Sequence, residues 1–366
     1  MCLRAARLLH AMLGRSYEAQ MKTLSMLLAL VLGASLSPAQ PRLIVVDEDA
    51  TGPGQTNQMA ILALLEAPNV KVLGLTMCTG DGWMEENTLH TLRMLELTGH
   101  TDVPVARGAN LPLIRTQTET RFSDATAGTV DWYGAWNPAT ASGKLRPLPE
   151  GMPTLQPIAE DAVHFLIRQV HEHPHQVTVY AGGPLTNIAL AISIDPEFAA
   201  LSNGLVLMGA SLNPQTDDPE FAANPRHEFN LWFDPEAAHI ALRAPWPRVD
   251  VTTVDISIKT FFTEEMLARI AKSGKPSARY IAAWSQRRYY MWDELAALAW
   301  LDPTLITQEK QLYMDVDISH GPSYGNTLTW DEKSKPQTGV RLVHVQTNLD
   351  RARFEQMFVE LIAGKR

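Results

Sequence analysis

The chain has 366 residues, 45% of them hydrophobic and 19% charged, with a formal net charge of −9. That composition supports a large core and is too weakly charged for a disordered chain. The acidic balance argues against a nucleic-acid polymer as partner, because polyanions are bound through basic surfaces.

In chain order, the first feature is a targeting pattern. Lys22 precedes an apolar stretch from Leu24 to Leu36, and small residues ending at Ala39 offer a cleavage point. This reads as a secretory signal peptide, and the apolar run is too short to span a bilayer well. Residues 1–39 are therefore expected to be a signal peptide with an upstream extension, and 40–366 one exported domain, periplasmic or extracellular, with no membrane attachment after cleavage. Loss of Arg4, Arg7, Arg15, Lys22 and Glu18 with that segment shifts the formal charge from −9 to −12. Cys78 then remains alone, so no internal disulfide can form, and it reads as a small buried residue.

From residue 40 onward, strand-like and helix-like segments alternate. Apolar runs at 43–47, 70–76, 103–106, 177–181, 204–208 and 249–255 predict strands. Helical periods predict helices over 57–66, 84–98, 157–172, 186–194, 234–243, 263–272, 275–301 and 350–363. This alternation implies an α/β domain built on an open, mostly parallel sheet with helices on both faces. The Gly-, Pro- and Thr-rich stretch 108–156 reads as a long binding loop. "HEHPHQ" at 171–176 matches no metal-ligand spacing and reads as a solvated turn.

Ligands of such sheets sit beyond the carboxyl ends of the strands. The loops to watch are "DEDATGPGQTNQ" after 43–47, "CTGDGW" after 70–76, "AGGPLTN" at the end of 177–181 and "MGASLN" at the end of 204–208. The first carries Asp47 and Asp49. Strand alternation sets Glu48 on the opposite side from both, so Glu48 is expected to point away from the site.

Taken together with "HEFNLWFDPEAAHIAL" and "YYMWDELAALAWLDP", these loops make the chain resemble the inosine-uridine preferring nucleoside hydrolase family over most of 42–363. The resemblance implies that fold and hydrolysis of the N-glycosidic bond of a ribonucleoside by a calcium-bound water. It implies Asp49 as metal ligand and catalytic base, Gly182 as a carbonyl ligand, Asp293 as the late ligand and Asp47 as their support. Asp81, Glu228 and Asn230 would hold the ribose. Trp292 stands where one branch of the family has His; it resembles the purine-preferring branch, in which an indole stacks on the base and aids its departure. Trp83, Trp132 and Trp136 are candidates for the opposite face of the base. A nucleoside or related ribosyl compound is the implied partner, and a homodimer or homotetramer the implied assembly.

The sequence departs from the family at one point. Two adjacent acids normally open the first helix, and here Thr56 and Asn57 take their places. Asn57 can give calcium an amide oxygen but no charge, which predicts weaker binding. Two other readings remain open at this stage. A protein with a reduced site could bind a nucleoside or sugar without cleaving it. "LIVVDEDAT" also fits the nucleophile loop of haloacid dehalogenase-type phosphatases, with Asp47 attacking phosphate, although no accompanying Lys or acid pair is evident.

Overall fold

The structure, a computed structural model, describes residues 40–285 and 289–364. The expected signal peptide lies outside the described residues. The compact unit Arg42–Arg366 holds the described strands and helices. No helix among the described residues is long and apolar enough to cross a membrane.

The strands are β1 Arg42–Glu48, β2 Val70–Met77, β3 Val105–Arg107, β4 Val177–Ala181, β5 Gly204–Met208, β6 Val249–Thr252, β7 Ile306–Val316, β8 Thr327–Trp330 and β9 Arg341–Leu349. They form one nine-stranded sheet in the order β3-β2-β1-β4-β5-β6-β9-β7-β8. Pairing is parallel from β3 across to β9, and β7 then runs antiparallel to β9 and β8. After β1 the chain builds outward through β2 and β3. It then returns to the other side of β1 and builds through β4, β5 and β6. The order therefore reverses between β1 and β4, and a crevice opens there beyond the strand ends.

Two apolar layers cover the sheet, and the alternation of side chains sorts them. Ile44, Val46, Tyr180, Val206 and Met208 face a layer that includes the helices Thr56–Leu65, Met84–Thr98, Trp292–Leu301 and Arg351–Ala363. Val45, Val177, Val179, Leu205 and Leu207 face the helices Ala162–Glu172, Thr186–Ile194 and Pro235–Arg243. The helix Thr56–Leu65 is buried from Thr56 to Leu64, so it is apolar on every side rather than amphipathic.

The helices predicted at 84–98 and 186–194 are observed with those bounds. Of the segment 171–176, His171 and Glu172 close the helix Ala162–Glu172, and 173–176 form the turn into β4. Other expectations need correction. The predicted helix 275–301 is two helices, Pro276–Trp284 and Trp292–Leu301, so Trp292 begins a helix instead of lying inside one. The loop 108–156 contains the helix Gln117–Ala127, whose Thr116 hydroxyl accepts from the Glu119 N–H. The predicted strand 249–255 stops at Thr252. Strands β7, β8 and β9 were not anticipated; the first half of β7 is exposed and polar, which removes the apolar alternation that would mark it.

Candidate active site

A cavity of about 300 Å³ opens at the switch point. It is lined by Asn57, Asp81, Gly182, Glu228, Asn230, Trp292 and Asp293, together with Thr56, Trp132, Glu220, Phe221 and Tyr289. The fold thus brings to one place residues spread over more than two hundred positions of sequence. Most arrive on a strand end or a helix start, and Trp132 comes from the long loop.

Asp49 lies just past the end of β1, almost wholly buried. Its Oδ1 accepts from Asn57 Nδ2 at 3.0 Å and its Oδ2 from the backbone N–H of Asp81 at 2.7 Å. Burial, followed by the nearby Asp81 charge, pushes its carboxyl well above the usual range. Asp47 points to the other face of the sheet, where Asn187 Nδ2 donates to it at 2.8 Å and the Thr76 hydroxyl also donates to it. Burial raises it to about 7. Sealed in this way, Asp47 cannot attack a phosphate, and the dehalogenase-type reading loses its nucleophile.

The expectation for Glu48 is reversed. Residues 44, 46 and 48 share the face that carries the helix Thr56–Leu65, so Glu48 points toward Asn57. Asn57 Nδ2 donates to Glu48 Oε2 at 2.9 Å while also bonding Asp49. Alternation does separate Glu48 from Asp47, but Asp49 lies beyond the strand and is not bound by that rule. Glu294 was not singled out from the sequence either. It is fully buried, accepts from the Thr56 hydroxyl at 2.6 Å, and is pushed to about 8 by burial. An acid inside "WDELAALAWL", an otherwise apolar helix, was the available signal.

Asp293 stands in the first turn of the helix Trp292–Leu301, where the helix dipole favours an acid. Its backbone N–H donates to the Thr56 hydroxyl at 3.2 Å and its carbonyl accepts from the Tyr180 hydroxyl at 2.9 Å. Glu228 caps the helix Phe229–Phe233, accepting from the N–H groups of Asn230, Leu231 and Ala210. Burial still lifts it to about 7 against these bonds. Asn230 Nδ2 donates to the carbonyls of Gly182 and Met208, each at 3.0 Å.

Trp292 packs edge-on against Phe221 and Tyr290, with ring centroids 5.7 and 4.9 Å away. Trp132 reaches the cavity from the long loop, and its indole N–H donates to Asp81 Oδ1 at 2.6 Å. Two of the predicted tryptophans do not line the cavity. Trp83 donates to the Thr140 carbonyl at 2.8 Å and anchors the loop. Trp136 is buried against Phe233 at 4.5 Å.

Among the described residues, no group of three or more His, Cys, Asp or Glu converges as a formed metal centre. The donor set nonetheless suits a hard, oxygen-preferring cation. Glu48 Oε1, Asn57 Oδ1 and Asp293 Oδ1 are buried oxygens without a hydrogen-bond partner. The charges acting on Glu48 are those of Asp293, Asp49 and Asp47, all acidic. Buried carboxylates in this number are costly unless a cation or proton joins them.

Comparison with known proteins agrees with this geometry. The sequence profile of the inosine-uridine preferring nucleoside hydrolases matches residues 44–356. A probable uridine nucleosidase 1 of Oryza sativa subsp. japonica is 32% identical over 246 residues, covering 66% of this chain and 68% of the relative. A solved plant nucleoside hydrolase superposes with a TM-score of 0.70 at 25% identity, covering 88% of this chain and 99% of that one. A purine-preferring ribonucleoside hydrolase from Gardnerella vaginalis superposes equally, with a TM-score of 0.70 at 23% identity over 88% of this chain and 98% of that one, a likeness of fold. The chain belongs to the inosine-uridine preferring nucleoside hydrolase family, enzymes that hydrolyse the N-glycosidic bond of ribonucleosides.

Proposed function

We propose that the cavity hydrolyses purine ribonucleosides and that it works with calcium. The purine preference rests on one observation: aromatic side chains, Trp292, Tyr289, Phe221 and Trp132, line the cavity, and no His, Lys or Arg lines it among the described residues. A stacked purine spreads the electrons of the breaking bond over two rings and accepts a proton at a ring nitrogen, so it needs no histidine acid.

Asp49, Asn57, Gly182 and Asp293 would hold the calcium. When bound, calcium supplies a Lewis acid that makes water a better nucleophile and fixes the ribose hydroxyls. Asp49, beside the attacking water, accepts its proton. Glu228, Asn230 and Asp81 position the ribose. The surrounding carboxylates favour the positive charge that develops on the sugar. Trp132, tied to Asp81, closes one side of the cavity against solvent.

The test is the ratio of kcat/KM for inosine over uridine. A ratio above one supports the purine reading, and faster turnover of uridine overturns it. The same reading takes the chain as exported with residues 1–39 removed, which sequencing of the amino terminus of the exported protein would check.

A further inference from the structure

We propose that Glu48 is a cation ligand of this chain and supplies the negative charge that Asn57 does not. This rests on the calcium reading above and extends it to a residue on the strand itself.

Three independent features point to it. The first is direction: β1 sends residues 44, 46 and 48 to the face on which Asn57 and Asp293 stand. The second is convergence. One nitrogen, Asn57 Nδ2, lies 2.9 Å from Glu48 Oε2 and 3.0 Å from Asp49 Oδ1. The two carboxylates therefore converge on one point, the place of that nitrogen. An amide can present either end, and turning Asn57 about its last bond sets Oδ1, now unpartnered, toward the same point. The third is the buried Glu48 Oε1, which has no hydrogen-bond partner. A proton on that oxygen would find no acceptor, whereas a cation would satisfy it.

Gly182 makes the arrangement possible. A Cβ at this position would stand 2.2 Å from Glu48 Oε1 and 2.6 Å from Oε2. Any side chain there would displace the carboxylate, so the room for Glu48 is created by the residue that also offers its carbonyl. The charge removed from the helix start at Asn57 is returned from the end of β1.

The experiment is calorimetric titration of calcium chloride into the purified, chelator-treated protein, with circular dichroism to establish folding. Glu48→Gln keeps the shape and removes the charge; it is expected to weaken calcium by about tenfold or more, since ligand charge sets affinity. Gly182→Ala leaves every charge in place and should weaken calcium by crowding Glu48 aside. Adding Asn57→Asp to Glu48→Gln should recover most of the lost affinity. Calcium binding by Glu48→Gln at the strength of the unaltered protein overturns the proposal. If Glu48→Gln does not fold, Gly182→Ala decides, and unchanged affinity there overturns it equally. No calcium uptake by the unaltered protein overturns the calcium reading itself, a result distinct from an unaffected variant.

Discussion

Asn57 and Thr56 are neighbours with different tasks. Asn57 ties Glu48 to Asp49, whereas Thr56 turns away to cap the helix of Asp293 and to hold Glu294. Replacing Asp49 by Ala removes both the proton acceptor and a charge, and turnover should fall by at least about a hundredfold, read in ribose release. Trp292→Ala should lower kcat/KM for inosine more than for uridine, because the larger base loses more stacking; equal losses would remove Trp292 from base recognition. Glu220, at the cavity wall, is pushed to about 7, first by burial and then by the charges of Asp218 and Asp131. A raised acid holds its proton in the folded state, so its stabilising contribution is present below about 4.5 and is lost as pH rises through about 7. Glu220→Gln should therefore gain about 1 kcal/mol over the unaltered protein on going from pH 5 to pH 8, a figure discounted for the open cavity. Parallel melting curves at the two pH values would check the sign.

At the scale of elements, strand ends and helix starts place the chemistry. The Tyr180 hydroxyl, at the carboxyl half of β4, holds the Asp293 carbonyl at the start of its helix. Tyr180→Phe leaves that buried carbonyl short of a donor and should cost about 1–2 kcal/mol in denaturant unfolding. The loop before the helix Thr56–Leu65 is fixed at Gly54, which has φ +69° and whose N–H donates to Gln58 Oε1 at 2.7 Å. A Cβ there would meet the Trp284 backbone at 2.6 Å, so no other residue fits. Much of this was legible beforehand, because Asp49, Asp81 and Gly182 closely follow clear apolar strands. Glu48 was misread because the alternation rule was applied to Asp49, which lies past the strand. The break after Trp284 was missed because no glycine or proline marks it between residues 285 and 291, and β7 because its first half is exposed and polar.

Across the whole molecule, the reversal of strand order between β1 and β4 gathers Asn57, Gly182, Asn230 and Asp293 into one crevice, with Asp49 bonded just behind its wall to Asn57 and Asp81. Acids and aromatic rings line it, and no lysine, arginine or histidine does among the described residues. Nucleoside monophosphates should therefore be poor substrates, since nothing on the wall offsets a phosphate charge. Inosine 5′-monophosphate turned over as readily as inosine would contradict that. The most direct measurement is ribose release from inosine by the purified protein, with added calcium and with chelator. Release that depends on calcium is the predicted result. No release from inosine or any other nucleoside by the folded, calcium-supplied protein would contradict the proposed hydrolysis and leave a protein that only binds its ligand.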